Sequence, residues 1–199
     1  GAVTMSRKAS RSLVIDASIA CAAGGVRASH PQSRECRDFL NAVWTICHKA
    51  VMSAEIYREW KLHQSTFSRK WRIQMLGKKK IIFKKNVDVA SLNSALESFD
   101  IDEKAKKIAR KDLHLVAAAQ ESDGIVISLD DESHRIFRGM SKYEKSLCKI
   151  LWLNPNKNHD EVIDWLHKGA PHDAAYTLRT SMPGDLVMLS NQKFPYSNK

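Results

Sequence analysis

The feature that most constrains this chain is a set of short apolar runs separated by longer stretches with helical periodicity. Leu13 to Ile15, Ala50 to Met52, Ile125 to Leu129 and Ile150 to Leu153 are apolar on both faces, Ser128 apart. Strands of that kind must be covered on both sides. Between them, apolar residues recur at spacings of three and four. Pro31 opens a helix that carries Cys36, Phe39, Leu40, Val43, Trp44 and Cys47 on one face. Asp102 caps a second, Glu103 to Gln120, whose stripe is Ala105, Ile108, Ala109, Val116 and Ala119. Short strands alternating with amphipathic helices predict βα units in a three-layer α/β/α fold with a mostly parallel central sheet.

Other elements follow from local signals. Ser53 caps a single predicted helix from Ala54 to Leu76, stopped by Gly77. Ile81 to Phe83 is a brief apolar patch. Short helices are predicted near Val89 to Glu97 and Glu132 to Phe137. Asn154-Pro155 closes the strand at Ile150 to Leu153. Asn158 caps a last helix, through Val162, Trp165 and Leu166, that ends at Gly169.

The length of 199 residues suits one domain. We place it at residues 12–168, with a disordered basic tail at 1–11 and an extension at 169–199. Gly1 to Thr4 read as an addition ahead of a native Met5. Arg7, Lys8 and Arg11 before the Ala-rich stretch Leu13 to Ala23 imitate a signal peptide. Asp16 interrupts that stretch and makes it a poor one. No apolar run approaches the roughly 20 residues of a membrane span. Cys21, Cys36, Cys47 and Cys148 form no C-x-x-C pair, and their apolar surroundings predict reduced core thiols in a cytoplasmic protein. The histidines show no zinc-ligand spacing beside them.

Net charge is +10, with an isoelectric point near 9.5. Arg69, Lys70, Arg72, Lys78, Lys79, Lys80, Lys84 and Lys85 fall in one acid-free stretch, 69–85, with Trp71 and Phe83 interleaved. A polyanion such as RNA is the natural ligand of such a stretch. The plainer reading is a solvated surface.

The sharper signal is acid where apolar residues belong. Asp16 and Asp130 follow strand runs directly, at the carboxyl ends where open parallel sheets bind ligands. Asp112 falls within the buried stripe of its helix. Glu59 shares a face with Ile56, Trp60, His63 and Phe67. Each alone has a structural explanation, a helix cap or a buried ion pair. Together, crowded carboxylates are costly unless a cation sits among them. An all-oxygen site favours Mg²⁺ or Mn²⁺. His114, two positions beyond Asp112, is expected to face elsewhere and to pack.

These residues carry a resemblance. Asp112-Leu-His-Leu-Val-Ala-Ala-Ala followed by Ile125-Val-Ile-Ser-Leu-Asp130 resembles the second half of a PIN domain. Leu13-Val-Ile-Asp16-Ala-Ser18 resembles that family's opening strand. Met52-Ser-Ala-Glu-Ile-Tyr-Arg-Glu59-Trp resembles its second strand and helix. Ile150 to Leu153, Asn154-Pro155 and the last helix resemble its close. The likeness runs from Leu13 to Lys168. Ser128 stands where Thr is usual, Leu129 where a small or polar residue is usual, and the basic insertion is not a general feature. Asp131 competes with Asp130, and Glu55 with Glu59; strand register and alignment favour Asp130 and Glu59.

The resemblance implies a metal-dependent endoribonuclease. Asp16, Glu59, Asp112 and Asp130 would hold Mg²⁺ or Mn²⁺, with Ser18 and Ser128 orienting carboxylates. It also implies either the toxin of a toxin–antitoxin pair, often dimeric and covered by a protein antitoxin, or an RNA-processing enzyme. A haloacid-type phosphatase would need Asp-x-Asp where Ala17 and Ser18 follow Asp16. A P-loop motif is absent. A non-catalytic RNA-binding scaffold with a weakened site is the remaining alternative.

Overall fold

The computed structural model describes residues 10–25 and 27–179. Its sheet has five strands: β1 (Ser12–Ile15), β2 (Lys49–Ser53), β3 (Ile81–Lys84), β4 (Ile125–Ile127) and β5 (Leu151–Leu153). All neighbours run parallel, in the order β3-β2-β1-β4-β5. Val14 lies opposite Val51 on one side and Val126 on the other. The chain therefore leaves β1 toward one edge and returns to its other side. That reversal lies at the carboxyl ends of β1 and β4, the place outside which ligands bind in open α/β sheets.

Eight α-helices among the described residues cover the sheet: α1 (Ala17–Ala22), α2 (Pro31–Ile46), α3 (Ala54–His63), α4 (Thr66–Gly77), α5 (Ala90–Ser98), α6 (Glu103–Gln120), α7 (Asp131–Met140) and α8 (His159–His167). Helices α1 to α4 and α8 pack together as one layer, and α5, α6 and α7 as the other, giving the expected three-layer α/β/α fold. The small residues Ala117 to Ala119 let α6 lie close on β1, β2 and β4. Phe39, Trp60 and Met75, from α2, α3 and α4, fill the opposite side, fully buried. Each contributes roughly 1.5–3 kcal/mol through burial. His48 is also buried. Its Nδ1 accepts from the Arg11 amide at 3.0 Å and its Nε2 donates to the Leu166 carbonyl at 3.0 Å. Burial holds its pKa down, so it is a neutral core histidine.

Several expectations are corrected. The helix predicted over Ala54 to Leu76 is two helices. Ser65 caps α4 by accepting from the Ser68 amide at 3.1 Å. Its hydroxyl donates to the Ala23 carbonyl and its amide to the Ala20 carbonyl, so α1 pins the break. Gly77 lies inside α4, and the turn comes at Lys79, with φ 54°. The Ile81 patch is an edge strand. β4 stops at Ile127, α7 runs longer than predicted, and Asn158 precedes α8 in a left-handed conformation without a side-chain cap. Only Cys36 is buried; Cys21 and Cys47 are exposed and Cys148 is half-buried, so the four are not all core thiols.

At the termini, Ser10 and Arg11 are not loose: Arg11 O accepts from the Lys49 amide at 2.8 Å. Residues 1–9 of the predicted tail lie outside the described residues. The C-terminal extension begins as part of the domain. Leu178 is buried, its amide donates to Ile150 O, and Thr177 bridges Leu151 in antiparallel fashion, closing the outer edge of β5. The rest of the extension, 180–199, lies outside the described residues. No described helix is long and apolar enough to cross a membrane.

Candidate functional site

Asp16 sits at the first residue beyond β1 and is 9% exposed. Its amide donates to Ile127 O at 2.9 Å, extending the β1–β4 ladder past the strand. Its Oδ2 accepts two hydroxyls, Ser18 at 2.5 Å and Ser128 at 2.8 Å. Each serine oxygen accepts in turn a backbone amide, Leu129 N on Ser18 at 3.2 Å and Asp130 N on Ser128 at 3.1 Å. The two serines expected to orient a carboxylate thus lie against Asp16, one from α1 and one just past β4.

Glu59 comes from α3. Trp60, next to it, is fully buried and donates its indole N–H to Ile15 O at 2.7 Å. That bond ties the helix to the end of β1 and fixes where Glu59 stands. Glu59 Oε2 lies 3.1 Å from His114 Nε2, with the side chains 26% and 12% exposed. The expectation that His114 only packs is therefore corrected. Its partner lies 55 residues away on another helix, so nothing local in the sequence announces the contact. Glu55, the competing acid, is half-buried and paired with Arg58.

Asp112 projects from α6. Burial raises its pKa to about 7. Within that net value the Ser133 hydroxyl pulls the other way, and the carboxylates of Asp16, Asp130 and Glu59 add smaller upward pushes. Ser133 is fully buried, and its Oγ lacks a hydrogen-bond partner of full geometry, so this support for Asp112 is partial. Ser133 was not singled out from the sequence. Its position three residues after Asp130 is the only signal, and that signal first reads as a cap.

The cap is real. Asp130 Oδ1 accepts from the Ser133 amide at 2.8 Å at the start of α7. Asp131 turns away, to Lys157 Nζ at 2.9 Å and Asn154 Nδ2 at 3.1 Å. Of the two adjacent acids, Asp130 is the one whose charge Asp112 feels.

The four acids therefore share one electrostatic neighbourhood at the carboxyl end of the sheet. Their donors are all oxygens, which suits a hard divalent cation. Against this, no three described His, Cys, Asp or Glu side chains are arranged to hold a metal ion. Asp16, Asp130 and Glu59 each commit one named oxygen to a protein partner and carry a second. Burial pushes the Cys36 thiol up to about 12, which keeps that cysteine an unreactive core thiol.

The basic stretch divides. Arg72 is buried and donates to Gln64 Oε1 at 2.9 Å and the Tyr57 hydroxyl at 3.1 Å. Lys80 donates to Trp44 O at 3.0 Å and lies 4.5 Å from the centre of that indole ring. Arg72 is thus packed, and half-buried Lys80 has its ammonium engaged by Trp44, because each long stem folds back onto an aromatic ring. Arg69, Lys70, Lys78, Lys79 and Lys85 are exposed, and Lys84 half-buried. No protein-family model, curated protein or solved structure matches this chain.

Proposed function

We propose that this protein is a metal-dependent endoribonuclease of PIN type. The observation that carries the reading is Asp112, a carboxyl raised to about 7 by burial and by three neighbouring acids at the sheet's carboxyl end. Its hydroxyl neighbour Ser133 supports it only in part, and three like charges surround it. Asp16, Glu59, Asp112 and Asp130 would hold Mg²⁺ or Mn²⁺. The bound cation supplies Lewis-acid polarisation of a phosphate and a more acidic water. The protein's own part is orientation. Ser18 and Ser128 hold Asp16, His114 holds Glu59, and Trp60 holds the helix that carries it. The exposed lysines and arginines would contact the RNA backbone.

The resemblance leaves the setting as either a toxin restrained by an antitoxin, as a dimer or not, or an RNA-processing enzyme. One observation favours the rival reading of a non-catalytic RNA-binding scaffold: no described side chains form a ready metal cluster. Asp16→Asn separates the two. A nuclease loses cleavage of single-stranded RNA in Mn²⁺ by orders of magnitude while its melting temperature holds and RNA binding persists. If Asp16→Asn cleaves at the wild-type rate, or wild type does not cleave at all, the nuclease reading fails.

A further inference from the structure

The acids leave one feature of the same end of the sheet unused. Phe83, on edge strand β3, is 52% exposed. It is paired in register with Met52 of β2, one residue before the pair Ser53–Lys84 at the carboxyl end. A phenylalanine so exposed on an edge strand is an apolar liability unless it serves a partner. Its ring is not loose. Tyr57 of α3 meets it edge-on, with centroids 5.8 Å apart at 68°. Tyr57 is itself braced, with the Arg72 guanidinium 5.0 Å from its ring centre and Lys61 Nζ 5.8 Å from it. Lys84 and Lys85 follow directly, and the chain carries no acidic residue from Trp60 to Val87.

A braced aromatic ring followed by two lysines, in a chain segment without acids, matches how proteins hold unpaired bases. Stacking grips the base and ammonium groups follow the phosphates. An acidic protein segment would satisfy the charges but would not call for a planar ring held by a second ring. We infer that Phe83 is a stacking platform for one unpaired base of a single-stranded nucleic acid, with Lys84 and Lys85 contacting the adjoining backbone. β3 lies two strands from β1, roughly 10 Å. That puts the platform a short run of extended strand from Asp16 and selects single-stranded over duplex substrates. The inference takes its ligand class from the proposed function, but it needs no catalysis.

The test is fluorescence anisotropy in EDTA, using a short unstructured labelled RNA and the same sequence as a duplex. Phe83→Ala and Phe83→Leu are expected to weaken single-strand binding roughly 5- to 100-fold. Phe83→Trp should retain it, and duplex binding should be unchanged in all three. Circular dichroism confirms folding; Leu and Trp keep the apolar bulk should Ala disturb it. Wild-type affinity in Phe83→Leu, an equal loss on duplex, or tighter binding of a polyglutamate peptide than of RNA would each overturn the platform. Cleavage of the same RNA in Mn²⁺ is read separately. If wild type fails to cleave while the Phe83 pattern holds, the nuclease reading falls and the platform stands. If wild type cleaves without the Phe83 pattern, the platform falls alone.

Discussion

Replacing Asp112 with Asn should stabilise the metal-free protein, and do so more as pH rises. The folded carboxyl, at about 7, lies above its ordinary 3.8, with burial the leading cause. At about 1.4 kcal/mol per tenfold change in proton affinity, holding the charge above pH 7 costs at most roughly 4 kcal/mol. The sign follows from proton counting. Between about pH 4 and pH 7 the folded state keeps a proton that the unfolded state has released, so stability falls as pH rises through that window. Asn carries no such penalty at any pH, though it loses whatever Ser133 contributes. The robust quantity is therefore the change in the gap between the two proteins. Urea unfolding should show the Asn variant gaining roughly 2–3 kcal/mol over wild type between pH 5 and pH 8. At pH 8, millimolar Mn²⁺ should then raise the wild-type midpoint and leave the variant almost unmoved, because the cation relieves a repulsion the variant lacks. A gap that does not change with pH, or a variant less stable than wild type at pH 8, would refute the reasoning. Asp112 would then be a satisfied structural acid.

Three further outcomes are expected. His114→Ala should lower the rate of RNA cleavage about tenfold by releasing Glu59, with His114→Gln recovering part of it; equal rates in all three proteins would make the contact incidental. Lys78→Glu with Lys79→Glu should weaken RNA binding and flatten its dependence on salt without changing the melting temperature. Lys80→Glu should instead lower that temperature, since it removes the bond to Trp44 O and the contact with its ring, together about 1–2 kcal/mol.

The layers and strands were legible because their signal is periodic and local: apolar runs of three to five residues, capped helices, a buried stripe on α6. Asp16 was legible for the same reason, being an acid placed directly after such a run. Features set by distant partners were not. The break at Ser65 depends on the Ala20 and Ala23 carbonyls, and the role of Lys80 on Trp44. His114 depends on Glu59. In each case the residue type was visible, while the group that decides its behaviour arrives from another element. The edge strand β3 escaped because three apolar residues between lysines have no alternation to read. It exists because β2 offers it a register.

The turn after β4 has a consequence for which positions can vary. Ser18 and Ser128 each take an amide proton from the main chain, at residues 129 and 130, before handing their own to Asp16. An acceptor already occupied on one side has little freedom to swing its hydroxyl. The carboxylate is therefore aimed by the peptide backbone of the turn, through two rotors that are locked. Residue 129 takes part only through its N–H, and its side chain is free to serve the core against which Leu129 packs. Replacing Leu129 with a small polar residue would thus alter the lining of the turn without touching the aim of Asp16. At this position the side chain's chemistry can change while the geometry it borders stays put.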